Sequence, residues 1–247
     1  MKTHGSFMWI RSFIYTIVLY IGTLLFFIVF IPVLVLPKKM ALALPISWSW
    51  TMVRLLRLIC GVKLDIKGFE NLPAQNGYIV AAKHQSAFET IVFHSVVPYT
   101  FYILKKELMF IPIAGIYFLK VGCIPIDRGG GTKTMKKMLT GVQKRLAEKM
   151  NLIIFPEGTR TKPGSEAQYK PGVAFLYEQC NVPVVPVALN TGYCWPKNQM
   201  KKNAGTVTIE FLKPIAPGLS KRDFLNKLET TIESAQKELP DPFKGQK

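Results

Sequence analysis

The segment Lys83-His84-Gln85-Ser86-Ala87-Phe88-Glu89-Thr90 sets a carboxylate five residues after an imidazole. A neutral imidazole accepts a proton near neutral pH. A carboxylate bonded to one ring nitrogen fixes the tautomer and leaves the other nitrogen as the base. His84 and Glu89 are therefore a candidate catalytic pair. Ser86 competes as a nucleophile, but no Gly-x-Ser-x-Gly elbow surrounds it. Taken alone, the segment reads equally well as a polar loop carrying a solvated histidine.

Two further segments could hold an anion. Phe155-Pro156-Glu157-Gly158-Thr159-Arg160-Thr161 offers a glycine for a sharp turn, a guanidinium suited to phosphate, and a carboxylate able to accept from a substrate hydroxyl. Gly122-Cys123-Ile124-Pro125-Ile126-Asp127-Arg128 ends in a charged pair, and Gly129, Gly130 and Gly131 lead into a helix. Its spacing is neither a Walker A nor a dinucleotide fingerprint. A fourth segment, Val182-Pro183-Val184-Val185-Pro186-Val187-Ala188-Leu189-Asn190, reads as a buried strand with no chemistry of its own. His94 falls in an apolar helical stretch and reads as structural.

Each of these segments abuts a strand. Short apolar runs predict strands at Tyr78–Ala82, Thr100–Leu104, Val121–Ile126, Leu152–Phe155, Val182–Leu189 and Thr206–Leu212. Helices are expected at about Thr90–Val97, Thr132–Met150, Pro171–Gln179 and Ser220–Leu239, the last with Ser220 as N-cap. This alternation predicts an α/β fold, a mixed central sheet flanked by helices.

Ahead of it, Phe13 to Leu36 carries no charge over 24 positions, about 36 Å as a helix and enough to cross a bilayer core. Pro32 is expected to kink it near its end. Residues 45–59 look amphipathic, with Ser47, Thr51, Arg54 and Arg57 on one face and Trp48 and Met52 largely on the other. They fit a helix lying in a headgroup layer, or an ordinary surface helix packed on the domain. The expected organisation is N-terminal membrane-anchoring helices at 1–60 and an α/β catalytic domain at 61–247.

The net charge of +17 is purest at the N-terminus, where residues 1–60 hold six basic and no acidic residues. Beside a long apolar run, that charge favours an anionic membrane over nucleic acid, for which no recognition motif is found. Cys60, Cys123, Cys180 and Cys194 form no CxxC and suggest free thiols in a reducing compartment rather than a zinc site.

In this order the four segments resemble the glycerolipid acyltransferase family, and within it the 1-acylglycerol-3-phosphate acyltransferases. The family's His-x4-acid motif stands here as His84…Glu89, its Gly-x-x-Phe-Ile-x-Arg block as Gly122…Arg128, its Phe-Pro-Glu-Gly-Thr-Arg block as Phe155…Arg160, and its Val-Pro-Val-x-Pro-Val strand as Val182…Val187. Tyr169-Lys170-Pro171-Gly172 looks like an aromatic-Lys-x-Gly element, and Lys105 sits where the family has a lysine. The chain departs from the pattern at Glu89, where Asp is usual, at Lys83, where Asn is common, and at Pro125, where Phe is usual.

The resemblance implies transfer of a fatty acyl group from acyl-CoA or acyl-ACP to the free hydroxyl of a lysophospholipid, giving phosphatidic acid. It implies His84 as base, Glu89 as its orienting acid, and acceptor binding by Arg128, Glu157, Gly158, Thr159, Arg160 and Lys105. No metal or other cofactor is required. The expected location is a bacterial inner membrane, with the catalytic domain on the cytoplasmic side. Two alternatives stay open: an acceptor such as another lysophospholipid or a lyso-ornithine lipid, or a non-catalytic membrane-binding protein.

Overall fold

A computed structural model describes residues 3–127, 131–166 and 168–244. The chain opens with α1 (Thr3–Val29), a 3-10 turn at Ile31–Val35, α2 (Lys38–Ala41) and α3 (Ala43–Cys60). Then follow β1 (Val62–Lys67), β2 (Ile79–Ala82), α4 (Phe88–Val96), β3 (Thr100–Lys105), a 3-10 turn at Lys106–Phe110, α5 (Ala114–Lys120) and β4 (Ile124–Ile126). The remainder is α6 (Gly131–Ala147), β5 (Asn151–Ile154), α7 (Pro171–Cys180), β6 (Val184–Leu189), α8 (Thr191–Cys194), β7 (Gly205–Phe211) and α9 (Lys221–Glu238).

The strands form one sheet in the order β1-β7-β6-β2-β5-β3-β4. Every neighbouring pair is parallel except β6 and β7, so the sheet is mixed, as expected. Five strands, β6, β2, β5, β3 and β4, therefore end on the same edge. The central β2 and β6 are buried along their whole length, which explains their uninterrupted apolar runs. β1 lies on the outer edge and alternates polar with apolar residues, a shorter-range signal than the runs that marked the other strands.

Helix ends follow local chemistry. The Ser220 hydroxyl accepts from the Asp223 N–H at 3.1 Å and caps α9, which buries Phe224, Leu228 and Ile232. The expected strand at Val121–Ile126 shrinks to Ile124–Ile126. Val121 and Gly122 instead close the end of α5, donating to the carbonyls of Tyr117 and Leu119. The long apolar run does not kink within one helix: α1 ends at Val29, and Pro32 starts the 3-10 turn, where its missing N–H costs nothing.

The stretch Phe7–Val29 is long and apolar enough to cross a membrane, with mean hydropathy 2.3. One side of α1 packs on the domain. The Tyr15 hydroxyl donates to the Met52 carbonyl at 3.2 Å, Arg11 Nε donates to the Ile59 carbonyl, and Trp48 Nε1 donates to Thr23 Oγ1 at 3.0 Å. Lys202, buried in the β6–β7 connection, donates to Thr16 Oγ1 at 2.9 Å and lies 4.7 Å from the Trp195 ring centre. Burial pulls its ammonium below the ordinary lysine range. On the opposite side Phe13, Ile17, Leu24 and Ile28 are exposed.

The headgroup-layer placement of α3 is corrected by its packing. Met52, Val53 and Leu56 are buried, and the Ser49 hydroxyl donates to the Ile91 carbonyl of α4 at 2.7 Å. Its apolar face is thus covered by α1 and α4, and Ser47, Thr51 and Arg54 face outward. The buried apolar cluster is continuous from Tyr15 through the sheet to Ile232. The four cysteines are free thiols.

Candidate active site

Three adjacent strand ends build the site: His84 follows β2, Phe155 follows β5, and Asn190 and Thr191 follow β6. Ligand-binding groups of open α/β sheets collect at this edge, where side chains leave the sheet without crossing it.

Glu89 sits in the first turn of α4, where a negative charge faces the free amides of a helix start. Its carboxylate is fully buried, and both oxygens are engaged. Oε1 accepts from His84 Nδ1 at 2.9 Å and from the backbone N–H groups of Gln85 at 2.7 Å and Ser86 at 2.6 Å. Oε2 accepts from the Thr191 hydroxyl at 2.7 Å. The extra methylene of glutamate lets the carboxylate bridge the β2 loop and α8. With Nδ1 donating to Glu89, the tautomer leaves Nε2 as acceptor. The His84 ring stacks on Phe155, with centres 4.0 Å apart, and its side chain is 16% exposed. Ser86 is buried, and its hydroxyl accepts from the Phe88 N–H at 3.1 Å, which starts α4.

The β5 loop is tied to the β2 loop. The Thr161 N–H donates to the His84 carbonyl at 2.7 Å, and the His84 N–H donates to Glu157 Oε1 at 3.1 Å. The Thr161 hydroxyl donates to Glu157 Oε2. Glu157 is thereby turned inward and buried. Gly158 lies at φ +69°, a left-handed conformation in which a side chain would be strained, and its N–H turns back to the Phe155 carbonyl. This reversal leaves Gly158 and Thr159 exposed and Arg160 half-buried at the rim.

The family model described as Acyltransferase matches residues 63–190, half of the chain and the loops after β2 and β5. The chain belongs to the acyltransferase family. It is 30% identical, over 76% of its own length and 72% of the relative's, to the 1-acyl-sn-glycerol-3-phosphate acyltransferase of Pseudomonas aeruginosa. It is 28% identical to the human 1-acyl-sn-glycerol-3-phosphate acyltransferase alpha over 65% of its own length and 57% of that protein's. The crystal structure of the 1-acyl-sn-glycerophosphate acyltransferase of Thermotoga maritima shares its fold, with TM-score 0.74 over 97% of this chain and 99% of that one, at 21% identity.

Within this acyltransferase, Lys105 ends β3 on the same sheet edge, exposed and 3.4 Å from Glu107. Arg128 lies outside the described residues. His94, at the other end of α4, has Nδ1 3.0 Å from Thr100 Oγ1 and packs on Tyr102; burial pushes its imidazole down to about 4. Among the described residues, no three His, Cys, Asp or Glu side chains group as metal ligands.

Sequence reasoning missed two supports of the site. Thr191 closes the Glu89 carboxylate, although the strand before it was expected to contribute no chemistry. Its only signal was a hydroxyl directly after a buried strand's end. Lys83, noted only as a departure, is buried with Nζ 2.8 Å from Glu233 Oε1 of α9 and 3.7 Å from Glu157. Tyr169 also donates to that Glu233 oxygen, at 2.9 Å, and with burial this pushes its phenol well above the ordinary range.

Proposed function

We propose that this acyltransferase moves a fatty acyl group to the free hydroxyl of 1-acylglycerol-3-phosphate and forms phosphatidic acid. The observation that carries the reading is the bond from His84 Nδ1 to the buried Glu89 carboxylate, which leaves Nε2 as a proton acceptor at the strand ends. The names of the relatives supply the acceptor.

In this reading the acceptor hydroxyl gives its proton to His84 Nε2 as its oxygen attacks the thioester carbonyl of acyl-CoA or acyl-ACP. The carbon–sulfur bond breaks, and the thiolate leaves with the proton returned by the imidazolium. Glu89 stabilises that imidazolium while both substrates are held in place. Arg160 binds the acceptor phosphate from the rim, beside Gly158 and Thr159, with Lys105 at the end of β3; the family resemblance adds Arg128. Glu157 holds the β2 and β5 loops together, so its effect reaches the acceptor through His84 and Arg160. Residues 1–60 anchor the catalytic domain 61–247 to the membrane in which the acceptor resides. The domain faces the cytoplasm across a bacterial inner membrane, consistent with its free thiols.

Purified protein assayed with lysophosphatidic acid, other lysophospholipids and a lyso-ornithine lipid tests the reading, with acyl-CoA and acyl-ACP each as donor. Preferred turnover of lysophosphatidic acid is expected, and Arg160→Ala should raise its KM more than the donor's. Faster turnover of an acceptor lacking phosphate would overturn the assignment.

A further inference from the structure

Residues 106–120 lie between β3 and β4 and put several large apolar side chains outside. Phe110 is 80% exposed, Ile116 59% and Leu119 53%, and Ile111 faces outward beside them. Ile116 and Leu119 are three positions apart on α5 and share its outer face. Between them Tyr117 turns inward, stacking on Phe27 of α1 with centres 4.8 Å apart and donating its hydroxyl to the Phe27 carbonyl at 3.0 Å.

The backbone holds this display in place. Ile113 sits at φ +64°, closed by the Ala114 N–H donating to the Pro112 carbonyl at 2.6 Å. A Cβ on Gly115 would lie 2.1 Å from the Met109 carbonyl oxygen, so only glycine permits this approach. The turn therefore keeps Phe110 from folding back onto α5. Lys105, Lys106 and Lys120 flank it along the chain and Lys38 reaches Gly122 just beyond it; Lys105, Lys106 and Lys38 pair with Glu107, Asp127 and Glu148.

We propose that residues 106–120 are a second lipid-contacting element, in which Phe110, Ile111, Ile116 and Leu119 enter an anionic bilayer surface beside α1. The occupant follows from continuity: the patch joins, through the Tyr117–Phe27 contact, the apolar helix that is long enough to cross a membrane and whose outer face is exposed. Exposed apolar surface flanked by lysines, on a chain of net charge +17, matches acyl chains beneath anionic headgroups. The element begins at Lys105, on the sheet edge that carries His84, so its insertion turns the site mouth toward the lipid. The inference rests on the membrane reading above, but not on the identity of the acceptor.

Full-length protein carrying Cys180→Ser and one new cysteine, at Phe110, Ile116 or Lys227, is labelled with an environment-sensitive fluorophore. It is then bound to vesicles of phosphatidylethanolamine and phosphatidylglycerol. Labels at 110 and 116 should shift to the blue and be quenched by lipids spin-labelled near the headgroup, while the label on the exposed Lys227 of α9 should do neither. Water-like emission at 110 and 116 on vesicle-bound protein would overturn the proposal. So would a blue shift without vesicles that accompanies dimer formation, which would assign the patch to a second copy. In the double variant Phe110→Ser and Ile116→Ser, turnover of vesicle-embedded acceptor should fall about tenfold and turnover of a detergent-dispersed short-chain acceptor less than twofold. Equal loss in both would make the patch structural and overturn it. The fluorescence arm needs no turnover, so a wrong acceptor assignment leaves it intact.

Discussion

The mouth of the site and the flank formed by α1 and residues 106–120 are built on opposite principles. At the mouth, both oxygens of the Glu89 carboxylate are engaged by named donors, and the two catalytic loops are laced by backbone bonds. Along the flank, Phe13, Ile17, Leu24 and Ile116 face outward and are exposed. Directional bonds in a buried place fail as a unit when one member goes, because the remaining groups lose both partner and water. Apolar area acts in proportion to its amount and tolerates the loss of any one side chain.

The sharpest break is expected at His84. His84→Ala should lower kcat about 10³-fold, within the range of a lost general base, and leave vesicle pelleting unchanged. Glu89 Oε1 keeps the Gln85 and Ser86 N–H groups as donors in the variant, so the melting temperature should fall by only a few degrees. Undiminished turnover would remove the catalytic meaning of the mouth.

A second test uses the other histidine of the same region. His94, on the far turn of α4, is held neutral by burial, at about 4 against the ordinary 6.5. The unfolded chain takes up that proton first. Stability from this site is therefore complete above pH 6.5 and is lost as pH falls from there toward 4, by on the order of 2 kcal/mol. Urea unfolding between pH 7 and 4.5 should show that slope, and His94→Gln should flatten it. An unchanged slope in the variant would assign it to other groups.

Thr191→Val keeps shape and removes one donor from Glu89 Oε2. It should cost about 1–2 kcal/mol of stability and lower kcat about tenfold, with KM for the acceptor nearly unchanged. Thr191→Ser should restore both. A variant that loses stability alone would make Thr191 a packing residue.

The smallest effect is expected on the flank. Ile17→Ser should leave turnover in detergent and the melting temperature almost unchanged, and should weaken vesicle partitioning by about five- to tenfold, from roughly 1 kcal/mol of lost apolar burial. A large fall in melting temperature would show that this face is covered by protein, and the contrast between the two regions would fail.

Much of the mouth was legible from residue order. A strand followed by His84 and an acid five positions on, and a strand followed by Gly158 and Arg160, identified the loops, because turn chemistry and helix-start acids act over a few residues. The flank was only partly legible. The run from Phe13 showed a membrane-length helix, but residues 106–120 mix lysines with apolar residues and carry no clear period. The apolar face of residues 45–59 matched both a headgroup layer and a protein surface, since periodicity records that a face is apolar without recording what covers it.

Residue order alone determined the strand-end loops, the cap at Ser220 and the likeness to a family, all matters of neighbours and spacing. Chain closure decided the rest. Thr191 meets Glu89 across 102 residues, Lys83 meets Glu233 across 150, and Lys202 reaches α1 across 186. No local rule specifies such pairs. They exist because the order of strands in the sheet sets β6 beside β2 and lays α9 over their ends.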